Sequence, residues 1–158
     1  MQTFLPYPDF EATARVLDDR RLGKQRVETL QVLRALTRPQ YGWKHHPAVR
    51  MWAGHEEALA AYGAAICVEW CRRGHADTCA GKIRDEVTDV GIEGVRPQHE
   101  LAAIGGLPSW LGDERVHRSH RLSLLRKDPE HYGPEFGDEV DDGSGYVWPG
   151  RPEADEGQ

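Results

Sequence analysis

The sequence predicts a mainly α, compact single-domain fold with long loops. Three stretches carry apolar residues at steps of three and four, helix-capping residues precede them, and no stretch alternates as a half-buried strand would. The chain has 158 residues, of which 39% are hydrophobic and 29% charged. A chain of this length buries enough surface to fold without a metal or a disulfide.

The first two helices are predicted near the start of the chain. Asp9 is a favourable N-cap for a helix over 10–17. The second helix, over 19–36, is indicated by leucines at helical spacing, although Gly23 lowers its propensity by ~1 kcal/mol. These leucines are Leu22, Leu30, Leu33 and Leu36.

A longer pattern predicts a third helix over 47–73, with Pro47 at its first position and Gly74 after its end. Its apolar stripe contains Ala48, Trp52, His55, Leu59, Tyr62, Ile66 and Trp70. Glycines and prolines over 75–112 favour loops and one short helix. Asp113 is expected to cap a last helix over 114–127, which Pro129 ends.

Charge is distributed unevenly. The formal net charge is −6, and residues 134–158 hold eight acids and one base, so residues 1–133 carry +1. We therefore predict a helical domain over 1–136 and an acidic tail over 137–158. Residues 146–148 are expected to dock on the body and 151–158 to be disordered. The basic segments over 15–34 and 115–127 fit either solvated helix faces or a nucleic-acid surface.

Nothing in the composition indicates a membrane protein. No window approaches the 18 or more continuous apolar residues of a membrane span, and the first ten residues lack the pattern of a secretory signal. The three cysteines fit a reducing compartment. We expect a cytoplasmic monomer with no membrane partner.

Two residues of the second helix are candidates for chemistry. Arg26 lies on the apolar stripe, where a guanidinium is rarely buried without a partner. It forms either a buried ion pair, with Glu56, Glu57 or Asp19, or the floor of a groove that binds phosphate. Glu28 is either a surface partner of Lys24, which its spacing favours, or a catalytic carboxylate among cations.

Histidine and cysteine supply further candidates. His45 and His46 precede Pro47, where one ring is expected to cap the helix and the other to be exposed. Cys67, Cys71, His75 and Cys79 are four residues apart, and on one straight helix they would form a row about 18 Å long. Such a row cannot surround one ion, so we predict small buried residues rather than a zinc site.

Several segments resemble the pyrimidine dimer DNA glycosylase family of the phage endonuclease V type. Residues 22–26, LGKQR, are similar to a segment of that family's first long helix. The third predicted helix, ending in CRRGH over 71–75, and the stretch HRLSLLRKDPEHYGPEF over 120–136 resemble later segments. The resemblance extends over most of residues 1–136, and the opening MQTFLP resembles a bacterial cytoplasmic branch.

The resemblance implies a DNA glycosylase with abasic-site lyase activity, acting without a cofactor on duplex DNA that contains a lesion. An N-terminal amine, here that of Met1 or Lys24 as a substitute, would form a Schiff base with the sugar, and Glu28 would be the carboxylate. It also implies that basic side chains contact DNA: Arg20, Arg21, Arg26, His45, His46, Arg118 and Arg121.

Two positions depart from the family pattern. The family's glutamate directly follows the helix arginine, whereas Val27 follows Arg26 here and Glu28 comes one later. One residue is a rotation of about 100° on a helix, so we expect Glu28 to point elsewhere unless the helix is rewound. Gln2 disfavours removal of the initiator residue, so Met1 is expected to keep its amine.

Two alternatives to the repair enzyme stay open at this point. One is a nucleic-acid-binding protein without catalysis on the same scaffold, which would bind in a salt-dependent way and leave the strand intact. The other is a metal-dependent hydrolase built on His45, His46 and the Cys/His row.

Overall fold

The computed structural model describes residues 1–149. Over this range the secondary structure consists of eight α-helices, without a strand. The helices are α1 (Phe10–Val16), α2 (Asp19–Thr37), α3 (Pro47–Arg50), α4 (Glu56–Arg72), α5 (Ala80–Thr88), α6 (Gln98–Ala103), α7 (Glu114–Lys127) and α8 (Pro129–Phe136). The predicted mainly α fold is confirmed.

Helices α2 and α4 pack against each other at the centre of the molecule, and α1 and α5 cover their flanks. Two glycines allow the close approach. A Cβ at Gly23 would lie 2.8 Å from the Trp70 ring, and a Cβ at Gly63 would lie 2.7 Å from Thr29 Cγ2. Gly23 therefore costs helix propensity but permits the packing of α2 on α4.

The predicted helix over 47–73 is wrong as a single element. It is divided into α3 and α4, because residues 51–54 form a turn in which Gly54 has a φ of +80°. The apolar stripe remains continuous in the core, where Trp52, Leu59 and Tyr62 are fully buried. His55, at the start of α4, is partly exposed instead of buried.

Two other segments also contain more helix than predicted. Residues 75–112 form α5 and α6 rather than one short helix. Pro129 follows the end of α7, but it also begins α8, where Asp128 accepts a hydrogen bond of 3.1 Å from the His131 backbone N–H. Proline has no backbone N–H, so it interrupts a helix from within. At the first position of a helix it is favourable, because the N–H there has no partner within the helix.

Candidate active site around Glu28

The amino-terminal segment, residues 1–6, lies along α2 and is held there by the side chain of Gln25. Gln25 Oε1 accepts hydrogen bonds from the Phe4 backbone N–H at 2.9 Å and from the Tyr62 hydroxyl at 2.8 Å. Gln25 Nε2 donates to the Gln2 carbonyl at 3.0 Å. Tyr62 also donates to the Phe4 carbonyl at 2.7 Å. All four residues are buried, so this segment has a fixed position on α2.

Helix α7 holds the other side of the same segment. Leu5 donates its N–H to His120 Nδ1 at 2.9 Å, and its carbonyl accepts from His117 Nδ1 at 2.8 Å. Arg121 donates to the Pro6 carbonyl at 2.9 Å. Burial lowers the pKa of His120 to about 3, which keeps its ring neutral and able to accept the Leu5 N–H.

Glu28 lies beside the amino-terminal segment. Its side chain is 10% exposed, and its Oε2 accepts a hydrogen bond of 2.7 Å from Gln25 Nε2. The same Nε2 binds the Gln2 carbonyl, so a single amide group connects the carboxylate to the residue that follows Met1. Lys24 Nζ lies 3.7 Å from Glu28 Oε1, and its side chain is 70% exposed.

Glu28 is directed to the same side of α2 as Gln25, and α2 is not rewound at this position. Helix α2 is continuous, and Glu28 follows Gln25 by three residues, which places both side chains on the face that contacts residues 2–4. Val27 instead faces solvent. The i,i+4 ion pair of Glu28 with Lys24 is present, as their spacing predicted. Glu28 is therefore both the partner of Lys24 and the candidate catalytic carboxylate.

Arg26 lies on a different face of α2. Its Nη1 donates to Asp77 Oδ1 at 2.7 Å, and its guanidinium lies 4.4 Å from the centre of the Trp70 ring. Burial favours the neutral acid, but hydrogen bonds from Arg26, Ala80 and Cys79 keep the pKa of Asp77 below its ordinary value. The predicted buried ion pair exists, but its partner is Asp77, since the chain returns to α2 after Gly74.

The other cations of α2 differ in their accessibility. Arg20 is exposed, whereas Arg21 donates to Asp18 at 3.1 Å and is largely covered. Asp18 also accepts from the Tyr132 hydroxyl of α8. Arg21 thus contributes to the packing of α8, while Arg20 and Lys24 extend into solvent.

Three basic side chains of α7, those of Arg118, Arg121 and Arg126, are paired with the acidic segment over 139–142. Arg118 Nη1 lies 3.2 Å from Asp142 Oδ2, Arg121 Nε lies 2.7 Å from Glu139 Oε1, and Arg126 lies 2.5 Å from Asp141. Hydrogen bonds from Ser144 and Arg118 lower the pKa of Asp142 to about 2. In this structure these three arginines are neutralised by the chain's own carboxylates.

The two adjacent histidines divide as the sequence predicted. His46 Nδ1 accepts the Ala48 N–H at 3.0 Å and caps α3, while His45 is exposed. The His46 ring also makes edge contacts with Trp43 and Trp148, with centroids 6.0 Å apart in each case.

One aromatic residue near Glu28, Tyr146, was not predicted to belong to a site. Tyr146 hydrogen-bonds Ser123 Oγ at 2.8 Å, and its ring contacts those of His120 at 5.6 Å and Trp148 at 5.4 Å. Burial raises the pKa of Tyr146, and the nearby charge of Glu28 raises it further. The sequence predicted docking of residues 146–148, but no motif indicated that Tyr146 lies near this carboxylate.

The cysteine and histidine row does not converge. Cys67 and Cys79 are buried, whereas Cys71 is exposed. His75 stacks on Trp70 with centroids 3.9 Å apart and lies 3.2 Å from Asp19. Among residues 1–149, no three His, Cys, Asp or Glu side chains are grouped so that they could hold a metal ion.

Comparison with known proteins identifies the family. A model of the pyrimidine dimer DNA glycosylase family matches residues 1–82, just over half of the 158-residue chain. The chain belongs to the pyrimidine dimer DNA glycosylase family, which confirms the predicted family membership. No curated protein and no solved structure matches. None of the helices within residues 1–149 is both long and apolar enough to cross a bilayer.

Proposed function

We propose that this protein is a DNA repair glycosylase with abasic-site lyase activity on duplex DNA containing pyrimidine dimers. Its nucleophile is the α-amine of Met1, and its carboxylate is Glu28. The observation that carries the proposal is the double hydrogen bond of Gln25, which binds the Gln2 carbonyl at 3.0 Å and Glu28 at 2.7 Å. Family membership supplies the substrate class.

The amine is suited to this chemistry. An α-amine has an ordinary pKa of about 7.7–8.0, so a useful fraction is neutral and nucleophilic near pH 7. The neutral nitrogen attacks C1′ of the damaged nucleotide, and the C1′–base bond breaks with its electrons moving to the base, which is protonated. The nitrogen loses one proton on attack. Opening of the sugar ring then breaks the C1′–O4′ bond, the oxygen takes up a proton, and the protonated Schiff base remains.

Glu28 performs two roles in this scheme. Its carboxylate stabilises positive charge on the sugar as the C1′–base bond breaks. Once the Schiff base has formed, Glu28 removes a proton from C2′, and the C3′–O bond breaks with the electron pair leaving on the 3′ phosphate. Its shielded position beside residues 1–4 strengthens both effects, because a low dielectric increases electrostatic interactions.

Phosphate contacts are proposed for Arg20, His45 and His46, and for Arg21 once it leaves Asp18, which it contacts at 3.1 Å. Arg20 and His45 are exposed, so they can reach a duplex without rearrangement. Arg118 and Arg121 would contact DNA only by exchanging their carboxylate partners for phosphates. Arg26 is paired with Asp77 and supports the packing of α2 instead.

The test is borohydride trapping on dimer-containing and abasic duplexes. Borohydride reduces the Schiff base to a stable amine, so wild type is expected to give a covalent protein–DNA species on both duplexes. Glu28→Gln is expected to give far less of it on the dimer-containing duplex, where the base must first leave, and to retain it on the abasic duplex. Absence of the species on both substrates would eliminate the lyase activity. Salt-dependent binding without strand cleavage would instead support the non-catalytic alternative.

A further inference from the structure

Trp43 combines an exposed indole with a positive φ, and both are energetically unfavourable in the protein without a bound partner. Its side chain is 64% exposed, and its φ is +69°, the only positive φ at a non-glycine residue among residues 1–149. A bulky residue in this region of backbone space is strained. Strain of this kind is found where the surrounding structure imposes it, and such positions concentrate at functional sites.

The loop around Trp43 imposes that conformation. The Trp43 carbonyl accepts the His46 N–H at 2.9 Å, which closes the turn before α3. Lys44 Nζ donates to the Ala35 carbonyl at the end of α2 at 3.4 Å, which ties the loop to that helix. The indole is therefore exposed to solvent on a turn that is held by the His46 hydrogen bond and by the contact of Lys44 with α2.

A row of aromatic rings connects this exposed indole to the site around Glu28. Trp43 contacts His46, His46 contacts Trp148, and Trp148 contacts Tyr146, with successive centroids 6.0, 6.0 and 5.4 Å apart. Tyr146 then contacts Phe4 of the amino-terminal segment at 6.4 Å. Trp43 is thus the outer end of a row whose inner end is Phe4, in the segment that begins with the proposed nucleophile.

The charge around Trp43 fits a polyanion. Residues 38–51 contain Arg38, Lys44 and Arg50, two histidines and no acid. Arg38 is paired with Glu86, but Arg50 and His45 are exposed. An exposed indole flanked by cations is the combination that binds nucleobases, through stacking on the base and contacts with phosphate.

We propose that Trp43 inserts into the bound duplex and stacks on the base next to the damaged site, in the gap left when a nucleotide leaves the helix. The chemistry on a base or its sugar requires that nucleotide to leave the stack, and an inserted side chain offsets the lost stacking. This inference rests on the proposed function for its substrate.

The probe is a duplex with a tetrahydrofuran abasic analogue flanked by 2-aminopurine. The analogue has no leaving base and cannot form a Schiff base, so binding is measured apart from chemistry. Wild type is expected to bind it more tightly than undamaged duplex and to quench 2-aminopurine. Trp43→Gly is expected to weaken this preference about tenfold and abolish the quenching, while Trp43→Phe retains most of both.

The controls separate stacking from folding and from catalysis. Glycine tolerates a positive φ, so Trp43→Gly removes the ring without adding strain. Val68→Ala alters a comparably exposed apolar residue on α4 and is expected to bind as wild type. Equal binding and quenching by wild type and Trp43→Gly overturns the inference, as does wild type that shows no preference for the analogue.

Failure of the stacking proposal and failure of the proposed function give different results. Borohydride trapping by wild type together with Trp43-independent binding leaves the function intact and eliminates the inserted indole. Trp43-dependent binding of the analogue without any trapped species eliminates the chemistry and retains the stacking.

Discussion

Gln25 Nε2 donates a hydrogen bond of 2.7 Å to Glu28 Oε2, one turn further along α2. Because the same nitrogen binds the Gln2 carbonyl, the position of the carboxylate and that of the amino-terminal segment depend on one side chain. The carboxylate and the residue that follows Met1 are therefore both held by the same side chain of α2.

Replacing Glu28 by Gln is expected to reduce strand cleavage by about 100-fold or more, because the C2′ proton loses its acceptor. The amide keeps the size of the carboxylate, so affinity for the tetrahydrofuran duplex and the melting temperature should remain near those of wild type. Single-turnover cleavage and equilibrium binding measure the two effects. Cleavage at the wild-type rate would remove Glu28 from the mechanism.

Replacing Gln25 by Ala is expected to lower the free energy of unfolding by about 3 kcal/mol, because it leaves buried backbone groups without partners. Activity should fall further than stability explains, since the amino-terminal segment loses its anchor. Urea denaturation and cleavage at a temperature where the variant stays folded test this. Gln31→Ala, on the same helix, is the control and should change neither.

His120 predicts a pH dependence of stability. Its pKa is about 3 in the folded protein against 6.5 in the unfolded chain, so between these values the unfolded chain binds more protons. Stability should therefore fall on acidification below pH 6.5, with up to about 1.4 kcal/mol per pH unit due to this ring. His120→Gln should show a shallower dependence, whereas His99→Gln, an exposed control, should retain the wild-type slope.

Neutralising the acids that cover α7 is expected to strengthen DNA binding. In Asp141→Asn/Asp142→Asn, Arg126 loses its carboxylate partner and becomes available to phosphate, whereas Arg118 loses Asp142 but keeps Glu139 at 3.3 Å. We expect tighter binding and a salt dependence steeper by about one phosphate contact. Asp85→Asn/Asp89→Asn on α5 makes the same change in net charge elsewhere. An equal gain in both variants would mean that net charge alone is responsible.

Trp43 predicts a difference between two small replacements. Alanine at a positive φ is strained and glycine is not, so Trp43→Gly should be more stable than Trp43→Ala by about 1 kcal/mol. Thermal denaturation of the two proteins measures this difference. Equal stability would show that the turn relaxes once the indole is removed, and that the loop does not impose the conformation.

The sequence predicted the parts of the fold that depend on local patterns. Asp9, Asp113 and Pro47 marked the starts of α1, α7 and α3 because capping and proline geometry are local properties. The break at Gly54 was missed, since the apolar stripe continues through it. Asp77 was missed as the partner of Arg26 because the ion pair joins residues 51 positions apart.

The sequence predicted only part of the candidate site. Glu28 and Lys24 could be selected from their spacing and the family resemblance. Ion pairs hold residues 139–142 along α7, and this places Tyr146 near the site. Ion pairs between distant segments leave no periodic pattern in the sequence, so this contact was not predicted. The amino-terminal segment has no regular structure, so its fixation by Gln25, His117 and His120 required the tertiary fold.

Peptide mapping of the borohydride-trapped protein is the most direct test of the central proposal. Wild type is reduced in the presence of abasic duplex and digested, and mass spectrometry then locates the amine that carries the sugar. The proposal predicts the adduct on the Met1 α-amine, and its loss when that amine is acetylated. An adduct on Lys24 would mean that Lys24, rather than Met1, is the nucleophile. The absence of an adduct on both residues would contradict the Schiff-base mechanism.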